Sequence, residues 1–425
     1  MLWLSGTRFH SGLEYVLRRE NYFSDLSEEE KAQTYSRLFS AIVISTNICK
    51  LSISFLNDTF GLWIARSIMH VLMIIGLILL VFVSAETSYL VWIAYPLWVG
   101  AGNGFGFSYM VILDLYPDRR GMLISFVGVP LLLAQVLYLA YENMENYKVF
   151  WVMVLGFVPF TIMRTFLLNP KTSVKGPNSR LGWETRFDKL GKKKKDDELE
   201  TISESSKYKT FISELFSFNI IMYLLFFFCG ELRSQTFIAQ YQTWLKFKSA
   251  GDEELIKKYT EIFNIGLAAG IFVTATIGLS SDKLIKSIQK RNGYSLKRAT
   301  YYCSLCLMVL STIGYTGYSL LQVPENLGWY TGFSIVVGIV GGSGLYTVRF
   351  LFIVGNSPSR YQARLLGMTT VVQLGVALVI PQLNKLIMDV FDGNFNVESS
   401  ILAGLTGAST IVPIVLSFRD TGHLD

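Results

Sequence analysis

The 425-residue chain is 51% hydrophobic and 14% aromatic, with 16% charged residues and a formal net charge of +6. A soluble chain of this length would divide into two or three domains built from amphipathic elements. Here the charges are bunched between runs that are apolar all round and about 20 residues long, enough to cross a bilayer, which excludes an ordinary soluble enzyme or binding module.

In chain order, residues 2–17 (LWLSGTRFHSGLEYVL) form a partial span carrying Arg8, His10 and Glu14. They lack the basic end, apolar stretch and small-residue cleavage site of a signal peptide, so a truncated first helix is the expectation. Eleven complete spans follow, near 38–56, 63–83, 89–113, 122–141, 149–168, 218–241, 259–279, 299–321, 329–355, 365–387 and 400–418.

Orientation follows from Lys and Arg in the short connections. They gather in 117–121, 171–209, 281–298 and 356–364 and are absent from 84–88, 322–328 and 387–400. The first set and the tail are therefore expected in the cytoplasm. Loops 18–35 and 243–258, on the other side, balance their few basic residues with acids such as Glu28, Glu29, Glu30, Asp252, Glu253 and Glu254.

Residues 169–210 divide the chain and contain KKKKDDELE from Lys192 to Glu200. Such a run is expected to be a solvated linker, and Lys192 to Lys195 would gain about 1 kcal/mol each near anionic lipid. The resulting division is an N-terminal bundle (1–168), a cytoplasmic linker (169–210), a C-terminal bundle (211–418) and a cytoplasmic tail (419–425). Residues 98–121 and 336–364 repeat one another, each an apolar Gly-rich span followed by a basic turn containing Pro. Small residues at such spacing let helices approach closely, and a repeat half a chain apart is the mark of a carrier built from two similar bundles.

Catalytic and metal constellations are absent from the sequence. The three His, at 10, 70 and 423, lie near no candidate nucleophile or carboxylate pair. Cys303 and Cys306 form a CxxC inside an apolar span, where packing is the expected role. The sequence thus predicts no enzyme, no cofactor, no metal and no nucleic-acid partner. Its expected partners are the lipid bilayer and a small-molecule substrate.

The cytoplasmic turns carry a motif with a mechanism. Gly278-Leu-Ser-Ser-Asp282-Lys283 fits G-x-x-x-D-[RK], and Ser54-Phe-Leu-Asn-Asp58-Thr-Phe-Gly61 is a weaker copy. An acid at that helix end can pair with Arg of the neighbouring turn and hold one conformation. The motif resembles the best-known loop motif of the major facilitator superfamily, which implies an all-α, two-bundle membrane fold. The candidates for the switch are Asp58, Arg66, Arg119, Arg120, Gly278, Asp282, Lys283, Arg360 and Arg364.

A closer likeness runs from end to end. Val16-Leu-Arg-Arg-Glu20-Asn21-Tyr22-Phe23-Ser-Asp25-Leu26, Asp58-x-Phe60 with Ala65-Arg66, Arg164-Thr-Phe-Leu-Leu-Asn-Pro170, and Ser357-Pro-Ser359 with Leu365-x-Gly367 resemble solute carrier family 43. That family comprises facilitative transporters of large neutral amino acids and of nucleobases.

Within spans, a charge at mid-bilayer costs about 2.5–3.5 kcal/mol even on lenient scales, so ionisable groups point to a pathway. The span 218–241 holds Glu231, Arg233, Gln235 and Gln240. Residues two apart do not face each other on a helix, so Glu231 and Arg233 must look to other partners. Arg233 lies in a Leu-Arg pair resembling that of the family's amino-acid branch, which implies a bidentate ligand for a substrate carboxylate. Where the family carries another Arg in its tenth helix, this chain has Gly342, with Arg349 two turns later. Further candidates around one midplane cavity are Asn103, Ser108, Gln135, Asn264, Ser343, Tyr346, Thr347 and Gln373.

The expectation is a multi-pass carrier of the plasma membrane moving a large neutral amino acid down its gradient by alternating access. No Na⁺ site is evident, and mid-membrane carboxylates are scarce. The alternatives are a nucleobase carrier of the same fold and a transporter-like receptor that moves nothing.

Overall fold

A computed structural model describes residues 17, 22–26, 28–60, 62–107, 121–123, 147–160, 162–163, 211–323, 327–357 and 359–419. Among these residues the regular structure is entirely helical. The N-terminal half contributes α1 (Glu28–Phe60), α2 (Leu62–Phe82), α3 (Val91–Phe107) and α4 (Tyr147–Gly156). The C-terminal half contributes α5 (Phe218–Lys248), α6 (Glu253–Asn292), α7 (Leu296–Leu321), α8 (Gly328–Asn356), α9 (Ser359–Val390), α10 (Phe395–Ala408) and α11 (Ile411–Ser417).

Helix α2 shows why these elements belong in lipid. Ala65, Met69, Met73, Leu77 and Leu80 are buried on one face, while Ile64, Ile68, Val71, Ile75, Ile78 and Phe82 form an exposed stripe on another. Both stripes advance three or four residues at a time, so one helix packs inward and presents apolar side chains outward. A face of that kind suits hydrocarbon and would aggregate in water.

Six described helical segments are long and apolar enough to cross a membrane: Arg37–Leu56, Trp63–Phe82, Leu296–Leu321, Val336–Asn356, Arg364–Val390 and Phe395–Ser417. Lys148–Phe160 is a shorter apolar helix. Helices α5 and α6 cover the expected spans 218–241 and 259–279, and α3 covers most of 89–113. The expected span 122–141, the partial span 2–17 and the linker 169–210 lie almost wholly outside the described residues.

Several helices outlast their apolar runs. Helix α1 begins at Glu28, within a segment expected to be a loop through residue 35, because EEEKAQ consists of good helix formers that need no bilayer. Helix α6 is 40 residues long. The Asp252 carboxylate caps it by accepting from the Glu254 and Leu255 N–H groups at 3.0 and 3.1 Å, and Gly293 ends it at φ 67°. Glu253 and Glu254 in the first turn and Lys290 and Arg291 in the last suit the helix dipole.

Small residues set the packing within each half. A methyl group on Gly100 of α3 would lie 2.3 Å from the Ser45 hydroxyl of α1, and one on Gly314 of α7 would lie 2.8 Å from the Gly341 Cα of α8. The glycines of the two sequence repeats therefore do the same work, letting α3 press on α1 and α8 press on α7.

Among the described residues two meetings of the halves stand out. Along α1 and α9, Phe39 and Val43 cluster with Ala377, and a methyl on Gly367 would lie 3.0 Å from Ser54. These two contacts fix an antiparallel register that sets Asn47 opposite Gln373 and Lys50 opposite Thr370. The second meeting place joins residues 121–123 to α6.

Candidate functional site

Helical geometry turns each residue 100° from the last, so Glu231 and Gln235 share a face of α5 and Arg233 points away from them. Gln235 donates from Nε2 to Glu231 Oε2 at 3.1 Å. On the other face, the Arg233 guanidinium donates to the Gln322 side-chain carbonyl at the end of α7 and lies over the Tyr318 ring, 4.2 Å from its centroid. Gln322 in turn donates to the Tyr318 hydroxyl at 3.0 Å, and Glu398 of α10 is within electrostatic range of Arg233. Arg233 is 2% exposed. It is thus held by α7 and α10 inside the C-terminal half, a placement that differs from the expected one facing a cavity between the halves. A buried guanidinium without neighbours of this kind would be costly, and here Gln322, Tyr318 and Glu398 lie on one side of it while its Nε is left without a hydrogen-bond partner.

Glu231 looks the other way, towards Lys50 of α1 and Arg349 of α8, both within electrostatic range. Arg349 is 4% exposed and donates through Nη1 to Gln373 Oε1 and through Nη2 to the Leu366 carbonyl, each at 3.4 Å. Its guanidinium carbon lies 5.4 Å from the Phe227 ring centroid and 5.9 Å from that of Phe350. Glu231, Gln235, Arg349 and Gln373 therefore gather where α5, α8 and α9 approach α1. Lys50 was missed in the sequence although its signal is plain, a lysine in the middle of the apolar run 38–56.

The remaining candidates divide. Ser343 and Thr274 share a 2.8 Å hydrogen bond between α8 and α6, and Thr347 donates to the Ser343 carbonyl at 3.0 Å. Tyr346 is half-buried and packs edge-on against Phe350 at 5.2 Å. Asn103 is buried in the N-terminal half and donates to the Val99 carbonyl at 2.9 Å. Ser108, Gln135 and the side chain of Asn264 lie outside the described residues, as do Arg8, His10 and Glu14.

At the end of the G-x-x-x-D motif the Asp282 carboxylate accepts from the backbone N–H groups of Gly121 at 2.8 Å and Met122 at 3.0 Å. A methyl on Gly121 would lie 2.5 Å from the Gly278 carbonyl oxygen, so both ends of the G-x-x-x-D motif touch the other half. The motif acid was expected to pair with an Arg of a neighbouring turn, and that turn, with Arg119 and Arg120, lies outside the described residues; the described partners are the two backbone N–H groups. Lys283 is exposed and Arg364 half-buried. Arg66 is fully buried, 5.4 Å from the Phe105 ring centroid, and thus lies within the N-terminal half. Arg119 and Arg120 and the side chains of Asp58 and Arg360 lie outside the described residues.

Two similar helical halves, a polar centre where they approach one another and a second contact between them at Asp282 define a multi-pass membrane transporter. Residues 24–381 match the Major Facilitator Superfamily, and the chain belongs to it. Equilibrative nucleobase transporter 1 of Bos taurus is 21% identical over 410 aligned residues, covering 87% of this chain and 83% of that protein. Among solved structures, the proton:xylose symporter XylE bound to 6-bromo-6-deoxy-D-glucose superposes with a TM-score of 0.65 at 12% identity, covering 98% of this chain and 92% of that one. The human organic anion transporter MFSD10 (TETRAN) gives 0.60 at 12% identity, covering 95% and 89%. These likenesses concern the fold.

Proposed function

We propose that the protein is a facilitative, Na⁺-independent carrier of large neutral amino acids that works by alternating access. The observation that carries this reading is the approach of Glu231 and Arg349, which lie within electrostatic range of each other. A zwitterion needs an acid for its ammonium and a guanidinium for its carboxylate. Phe227 and Phe350 beside the guanidinium are buried, and half-buried Tyr346 against Phe350 would offer the apolar surface for a large side chain.

Residues 1–168 and 211–418 are the two rocking bodies in this reading, and 169–210 is the tether between them. Asp282 on Gly121 and Gly367 on Ser54 close the cytoplasmic side, and inward opening breaks both. The substrate shifts the balance only by binding the two states unequally. The plasma membrane is the proposed location.

The bovine relative favours a second reading, a nucleobase carrier, in which Gln235 and Gln373 read the edge of a neutral base. Uptake into proteoliposomes of labelled leucine, phenylalanine, arginine and adenine separates the readings. Saturable leucine and phenylalanine uptake without an ion gradient supports the amino-acid carrier. Adenine uptake alone selects the second reading, and accumulation of none of them supports a receptor that moves nothing.

A further inference from the structure

Lys50 is a cation placed where the apolar span around it gives no reason for one. It lies on the stripe Val43, Asn47, Lys50 and Ser54, whose outer and inner members touch Ala377 and Gly367 of α9. Its side chain is half-buried, as a group lining a cavity would be. Among the described residues no carboxylate lies within ion-pair distance of its ammonium.

Among the described residues the charges around it do not balance: Lys50 and Arg349 are two basic groups in mutual range, and Glu231 is the acid in range of both. A basic group without an acid of its own inside an apolar span is costly, and a mobile anionic group is the natural counterpart. Arg349 and Glu231 belong to the C-terminal half, whereas Lys50 belongs to the N-terminal half, so a carboxylate bridging Lys50 and Arg349 would be gripped by both moving bodies at once.

We infer that Lys50 is a substrate-recognition residue that, with Arg349, selects solutes bearing a carboxylate and discriminates against neutral ones. This rests on the carrier reading above and deepens it, by assigning the carboxylate to a pair of cations drawn from both halves.

The test measures binding to the full chain in lipid nanodiscs for leucine, 4-methyl-2-oxopentanoate, leucinol and adenine, with wild type, Lys50→Gln, Lys50→Arg and Lys50→Met. The oxo acid keeps the carboxylate and lacks the amine, and leucinol does the reverse. Loss of a charge-assisted hydrogen bond predicts that Lys50→Gln and Lys50→Met bind leucine and the oxo acid about tenfold or more weakly. Lys50→Arg should stay within a few-fold of wild type, and leucinol and adenine should be unmoved in every variant.

The inference is overturned if leucine binds wild type and both neutral variants equally, a result that leaves the amino-acid reading intact. It is overturned too if leucinol or adenine weakens in parallel, which would mark general damage. Wild type that binds the oxo acid in a Lys50-dependent way and ignores leucine would sustain Lys50 and defeat the amino-acid reading. Wild type that binds adenine and neither carboxylate would defeat both.

Discussion

The Asp282 carboxylate of α6 accepts two backbone hydrogen bonds, from Gly121 and Met122, that cross from one half of the protein to the other. A side chain and a backbone segment some 160 residues apart in sequence thus form a contact that, in the proposed alternating-access cycle, lasts only while these ends of the halves stay together. Hydrogen bonds to a charged group contribute about 1.5–3 kcal/mol, a factor of roughly ten to a hundred in a two-state balance.

Asp282→Asn removes the charge and replaces one acceptor with a donor that faces donors. The population open to the cytoplasm should rise by about tenfold or more. State-specific cysteine labelling reads this shift, and substrate affinity measured in one locked state should change little. Arg364→Gln, at the neighbouring turn, is expected to act in the same direction. Unchanged labelling in both variants would leave these residues as ordinary helix-end charges.

Gly121→Ala tests the same contact without touching a charge. The added methyl would meet the Gly278 carbonyl oxygen at 2.5 Å, a backbone atom that cannot rotate aside. The halves must separate slightly there, so the variant should mimic Asp282→Asn in labelling while keeping its normal substrate affinity. A labelling pattern identical to wild type would show that the helix end accommodates the methyl locally.

Arg233 and Arg349 should behave differently. Arg233 is enclosed by Gln322 and Tyr318, so Arg233→Gln is expected to lower thermal stability and yield by breaking a buried polar group, a loss of about 3–5 kcal/mol. In whatever folds, KM should stay near wild type. Arg349→Lys keeps a charge and loses the two-pronged geometry, so KM for leucine should rise about tenfold with protein abundance preserved. A selective KM effect at Arg233 and none at Arg349 would reverse the two assignments.

The orientation rule makes a further prediction. Tags inserted at Lys193 and after Asp425 should be accessible from the cytoplasm, and a tag near Asp252 from the opposite face. Labelling of Lys193 and Asp252 from the same side would require a different number of crossings between them.

The spans at 38–56, 63–83, 299–321, 329–355 and 365–387 were legible because a bilayer-length apolar run has few alternatives, and six described helices are of that kind. Where helices end was less legible. Glu28 starts α1 well before its apolar run, because hydrophobicity marks the membrane and says little about where a run of helix formers stops.

The sequence by itself determined that this is a helical membrane protein of the superfamily's kind, that Glu231 and Arg233 could not serve each other, and where the G-x-x-x-D motif lies. Those conclusions follow from local rules: the length of a span, the turn of a helix per residue, the cost of a charge in lipid. Only the tertiary structure decided which way each charge looks. Arg233 turned to Gln322 and Tyr318, Glu231 to Lys50 and Arg349, and Asp282 to Gly121, because a helix is free to rotate about its axis until its neighbours fix the face that is buried. Lys50 became informative only when α1 was set against α9, which brought it within electrostatic range of the other half's acid and guanidinium.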